Sequence, residues 1–129
     1  MNISFRKVAL VAALALSAAS AVADVKDYEF QLVRNEAKKG DATIDVRLLN
    51  KKTGKAVPDA VIIAKRIDMA PDGMAEMATR VDQVPSAEPG LYRFKTNLSM
   101  EGRWQLSLGA KVQGETGTVQ SKLVLKAVP

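Results

Sequence analysis

Three methionines fall close together in this chain, Met69, Met74 and Met77, around the turn Pro71-Asp72-Gly73. Another, Met100, heads the segment Met100-Glu101-Gly102-Arg103-Trp104. Methionine sulfur is a neutral, soft donor that selects Cu(I) and Ag(I) over harder divalent ions. It binds without losing a proton, so its affinity would vary little with pH, unlike that of cysteine or histidine. Met69, Met74, Met77 and Met100 are therefore candidate ligands for copper(I) or silver(I). Met74 and Met77 converge only in a helical turn, since in a strand residues three apart point to opposite faces. Met69 would return across the turn, and Met100 would join from a separate connection at the same end of the fold. Asp72, Glu76 and Glu101 would add negative potential near a cation.

Each of these residues also has a plainer reading. Methionines are adaptable core fillers, and an apolar loop is also a contact surface for a partner. The turn is too polar and too broken by Gly and Pro for a core strand, which favours the metal. Trp104 would offer a cation-binding face or, as its alternation with Leu106 and Leu108 suggests, anchor the core. Tyr92, after Pro89-Gly90, reads as a packed corner residue with a bonded hydroxyl. Asp68, Asp72 and Glu76 lack the spacing of an EF-hand and read as solvated loop carboxylates.

The absences narrow the chemistry. There is no cysteine, hence no disulfide and no thiolate. There is no histidine, which removes the commonest general base, the Ser-His-Asp and Cys-His nucleophiles and the usual zinc sites. Ser86, Ser99, Ser107 and Ser121 sit in no G-x-S-x-G or S-x-x-K context, and no G-x-G-x-x-G or P-loop is present. No enzyme is expected. Cu(II) and Zn(II), which favour imidazole, suit the chain poorly.

At the N-terminus Arg6 and Lys7 precede the apolar run Val8 to Leu16, and a small-residue tail ends in Ala21-Val22-Ala23. That order is the signature of a secretory signal peptide. Residues 1–23 are expected to be cleaved, and residues 24–129 to form a single periplasmic domain. The apolar run is shorter than the roughly 20 residues a bilayer span requires, so no membrane span is expected in the exported chain. The formal net charge of +5 falls by two when Arg6 and Lys7 are removed. Lys38-Lys39 and Lys51-Lys52 have no aromatic neighbours and read as solvated loop charges, so no nucleic-acid partner is expected.

The elements that must position the methionines alternate with a period of two. Tyr28, Phe30 and Leu32, then Ala42, Ile44, Val46 and Leu48, mark half-buried strands. Arg34 to Asp41 reads as a polar connection, and Asn50 to Lys55 as a turn with Gly54. Ala60 to Ile67, with Val61, Ile62 and Ile63, reads as a strand covered on both faces. A short strand is expected around Ala78 to Val81, and Pro85 to Gly90 as a rigid loop. Leu91 to Lys95, then Trp104, Leu106, Leu108 and Ala110, alternate again. In the last strand Val119, Leu123 and Leu125 face one way and Lys122 and Lys126 the other. About seven or eight short strands with frequent turn signals, and no helix, predict an all-β antiparallel sandwich.

Gly54-Lys55-Ala56-Val57-Pro58-Asp59-Ala60, the Met-rich loop, Pro89-Gly90-Leu91-Tyr92 and Met100-Glu101-Gly102-Arg103-Trp104-Gln105-Leu106 occur in that order. In this the chain resembles the YtkA-like and FixH-like family of small exported β-sandwich domains, over roughly Asp41 to Ala127. The resemblance implies an immunoglobulin-like fold of about seven strands. It also implies an association with copper or other heavy metals, with an envelope efflux or oxidase-assembly complex as the partner. Where the family's loop often mixes Met with His, this chain has Asp72 and Gly73. Retention of residues 1–23 as a membrane anchor is the FixH-like alternative, whereas the Ala-Val-Ala ending here favours cleavage. The alternative function is a structural or interaction domain that docks onto an envelope complex through the Met-rich loop.

Overall fold

Alternating apolar residues build the strands, and the turns between them fall where glycine, proline and short polar residues cluster. A computed structural model describes residues 25–129; the expected signal peptide, residues 1–23, lies outside the described residues. After a short 3-10 turn at Val25–Asp27 come β1 (Tyr28–Leu32), β2 (Glu36–Lys38), β3 (Gly40–Asn50), β4 (Lys55–Ala56) and β5 (Val61–Met69). A second 3-10 turn, Ala70–Asp72, leads to β6 (Met74–Thr79) and β7 (Val81–Val84). The chain ends with β8 (Leu91–Leu98), β9 (Gly102–Lys111) and β10 (Val119–Val128).

One sheet runs β2-β10-β9-β5-β6 and the other β1-β3-β8-β7, with the short β4 beside β3. Every pairing is antiparallel except that of β2 with β10. The fold is the expected all-β, immunoglobulin-like sandwich. Its inward faces carry Ile67 and Met69 of β5, Trp104, Leu106 and Leu108 of β9, and Leu125 of β10. They meet Ile44, Val46 and Leu48 of β3 and Tyr92, Phe94 and Leu98 of β8. Two packed sheets bury such alternating faces without needing a helix.

Four local expectations change. The connection after β1 contains β2, whose Glu36, Ala37 and Lys38 pair with Lys126, Ala127 and Val128. Main-chain bonds make this strand, so no apolar pattern marks it. The single short strand expected near Ala78 is two strands, β6 and β7, separated at Arg80 where the chain passes from one sheet to the other. The passage from β1 to β2 does the same on the opposite side. β5 is not covered on both faces: Val61 is 60% and Ile63 52% exposed, because the outer face of its sheet carries no second layer. Finally, the Met-rich loop is largely strand, with only Ala70–Asp72 and Gly73 forming the turn.

Candidate functional site

The β5–β6 hairpin is built around its turn. Pro71 suits the first positions of the 3-10 turn, and Gly73, at φ +77°, closes it by donating its N–H to the Ala70 carbonyl at 2.8 Å. Asp68 accepts the Ala70 N–H at 2.9 Å and the Arg66 Nε–H at 2.7 Å. The same guanidinium donates from Nη2 to the Ala75 carbonyl at 2.9 Å, tying β6 to β5. Ile67 and Asp68 pair in regular register with Thr79 and Ala78; the register then shifts, setting Met74 opposite Met69.

The β8–β9 connection lies against this hairpin. Arg103 donates its backbone N–H to Asp72 Oδ2 at 2.8 Å, its Nε–H to Oδ1 at 2.7 Å, and an Nη2–H to the Pro71 carbonyl at 2.8 Å. These bonds hold the Asp72 carboxyl below the usual carboxylate range, the backbone N–H contributing most. Gly102 makes the approach possible. It sits at φ +134°, and a Cβ there would stand 2.6 Å from Asp72 Oδ2 and 2.7 Å from Met69 Cε. Trp104 donates its indole N–H to the Met100 carbonyl at 3.0 Å, fixing the start of the same connection.

The structure thus brings all four methionine-bearing segments to one end of the sandwich, but Met74 and Met77 stand in strand β6 rather than in the helical turn expected to converge them, and the side chains have unequal access. Met69 is fully buried; it ends β5 on the same inward face as Ile67. Met74 and Met77 are half-buried and pack against the core. Met100 is exposed. Trp104, 1% exposed, belongs to the core, so its ring packs among side chains while its N–H serves the connection. The carboxylates depart from expectation. Asp68 is buried and Asp72 half-buried, and each is held by an arginine, whereas Glu76 and Glu101 are exposed. Among the described residues no three or more His, Cys, Asp or Glu side chains group to hold a metal ion.

Sequence reasoning missed Arg66, Gly102 and Arg103. Asp72 and Arg103 stand 31 positions apart in a chain whose charges are interspersed, so no local signal pairs them. Tyr92 occupies the opposite end and behaves as expected. Its hydroxyl donates to the Val57 carbonyl at 2.6 Å and accepts the Ala60 N–H at 3.0 Å. Its ring meets Phe30 edge-on at 6.4 Å.

No helix among the described residues is long and apolar enough to cross a membrane. No curated protein matches the chain. Among solved structures it is similar to the Lin-41 filamin domain, at 19% identity and a TM-score of 0.50, covering 81% of this chain and 95% of that one. It is also similar to the ZirS C-terminal domain, at 14% identity and a TM-score of 0.48, over 84% and 70% respectively. The first likeness supports the sandwich fold alone. The YtkA-like family matches residues 22–109, beginning before β1 and ending within β9. With more than half its length matched, the chain belongs to the YtkA-like family.

Proposed function

We propose that this domain binds a soft monovalent ion, Cu(I) or Ag(I), at the methionine end of the sandwich. On this reading it carries or delivers the ion in the periplasm, as an accessory to heavy-metal efflux or oxidase assembly. The observation that carries the reading is that Met69 and Met74 face each other across the β5–β6 pairing, with Met77 on β6 and Met100 in the adjoining β8–β9 connection, in a chain without cysteine or histidine. Met100 would be the exposed donor and Met74 and Met77 half-buried ones, with Met69 fully buried in the core. Thioethers carry no charge to offset desolvation of the ion. Asp68 and Asp72 are matched by Arg66 and Arg103, leaving Glu76 and Glu101 as the uncompensated charges, which act through space.

The test is titration of the purified protein with Cu(I) under reducing conditions and with Ag(I), read by native mass spectrometry. The Met74→Leu, Met77→Leu double variant keeps size and apolarity while removing sulfur. It should fold normally and lose the ion, and Zn(II) should bind neither protein well. Uptake of no Cu(I) by the wild type, or equal uptake by the leucine variant, would sink the proposal. The exposure of Met100 favours a second reading, an apolar contact for an envelope partner. Leucine would preserve such a contact, so the same variant separates the two readings.

A further inference from the structure

Strand β5 has neighbours on both sides only near its end. β9 pairs with it from Val61 to Asp68, with a bulge that leaves Ile63 without a partner, whereas β6 meets it at Ile67, Asp68 and Met69 alone. β6 then gives way to β7, which belongs to the other sheet, so no strand among the described residues continues the ladder beside Val61–Arg66. Burial agrees with the pairing. Ile63, Ala64, Lys65 and Arg66 are all exposed, and so is Val61. Side chains of a strand covered on one face alternate between buried and exposed. The inward Ile62 still packs against the core, and the bulge at Ile63 breaks the alternation; the exposed run from Ile63 to Arg66 fits a segment open along its edge.

An open edge presents unpaired N–H and C=O groups, and exposed Val61 and Ile63 beside them add apolar surface. The edge is also one-signed. Val61–Arg66 carries Lys65 and Arg66, and the facing stretch Ser107–Lys111 of β9 adds Lys111; no Asp or Glu lies in either. Asp68 and the Ala75 carbonyl occupy the Arg66 guanidinium, whereas Lys65 and Lys111 hold no ion pair among the described residues. A second copy suits this edge badly. Antiparallel self-pairing would gather two sets of these cations in one ribbon with no acid among them.

We propose that the β5 edge at Val61–Arg66 is a strand-addition site for an extended, acidic segment of a partner protein. The partner's main chain would extend the five-stranded sheet, its apolar side chains would cover Val61 and Ile63, and an acidic one would meet Lys65. Main-chain pairing supplies the affinity in this mode and side chains the choice of partner. Lysine on the edge selects against self-association while attracting the opposite charge. The site borders the methionine end, sharing Arg66 with it, but does not depend on the metal reading.

The probe is a synthetic peptide of alternating valine and threonine with glutamates at both ends, compared with a version ended by lysines. Amide hydrogen exchange and chemical shifts of isotope-labelled protein report binding residue by residue. The glutamate peptide should slow exchange within Val61–Arg66 and bind about tenfold more tightly than the lysine peptide. The exposed substitution Lys65→Glu should reverse that preference. Three results overturn the proposal: no protection at Val61–Arg66, a preference that Lys65→Glu leaves unchanged, or self-association through this edge.

Discussion

At one end of the sandwich Tyr92 ties β8 to the β4–β5 connection through a neutral hydroxyl bonded to two main-chain groups, at 2.6 and 3.0 Å. At the other, Arg103 ties β9 to the β5–β6 turn through an ion pair, with the arginine side chain 58% and the Asp72 side chain 25% exposed. The first tie is buried and shielded from salt. The second is open to solvent, where ion pairs are screened and weak. The methionines gather at the second, so the end proposed to take up and release an ion is the one whose closure solvent can loosen.

The ends should fail at opposite extremes of pH. Burial raises the Tyr92 hydroxyl above its ordinary value. Its stabilising protonated form is therefore fully present below about pH 10, the unfolded value, and is lost only as pH rises through the higher folded value. Asp72 is shifted downward, so its contribution is present above about pH 4 and is lost as pH falls through the lower folded value.

The packing between the ends should outweigh either tie. Trp104→Ala empties the largest fully buried site and should cost about 3–5 kcal/mol, read as a lower urea midpoint. Retention of the wild-type midpoint would mean that the ring contributes little to the core. Next, Tyr92→Phe strands the Ala60 N–H and the Val57 carbonyl. A loss toward the upper part of the roughly 1–3 kcal/mol cost of an orphaned buried group is expected, with little dependence on salt. Gly102→Ala puts a side chain into a conformation suited to glycine, against Asp72 and Met69. About 1–2 kcal/mol should be lost, and backbone amide shifts should change at Asp72 and Arg103 while those near Tyr92 stay fixed. Asp72→Asn should have the smallest effect at neutral pH. Its signature is in acid unfolding, where the drop in stability that the wild type shows below about pH 4 should be reduced. Equal acid profiles for the two proteins would show that the ionic tie adds nothing.

Much of this frame is legible as alternation. β3, β8, β9 and β10 each show apolar residues every second position, and each buries that face. Val61-Ile62-Ile63 misleads because a run of β-branched residues has the same appearance in a strand covered on both faces and in one left at a bare edge. Neighbours distant in sequence decide between them. β2 is invisible because its parallel pairing with β10 rests on main-chain bonds. Met69 was readable in part: it stands two residues after Ile67, so continuing the period of β5 carries it into the core rather than the loop. The β5–β6 turn meets β9 through Asp72 and Arg103, and no periodicity encodes that meeting.

The two side passages between sheets, from β1 to β2 and from β6 to β7, bear on how the molecule comes apart. A sandwich whose sheets are joined only through its ends can lose one sheet while the other persists. Here a short passage joins the layers on each flank, one residue between β6 and β7 and three between β1 and β2, so separating β7 from β8 pulls on β6, and displacing β2 from β10 pulls on β1. The layers are coupled along their length, which favours a single all-or-none transition over stepwise peeling. The lone tryptophan, although it belongs to β9, should consequently report the loss of both sheets at once.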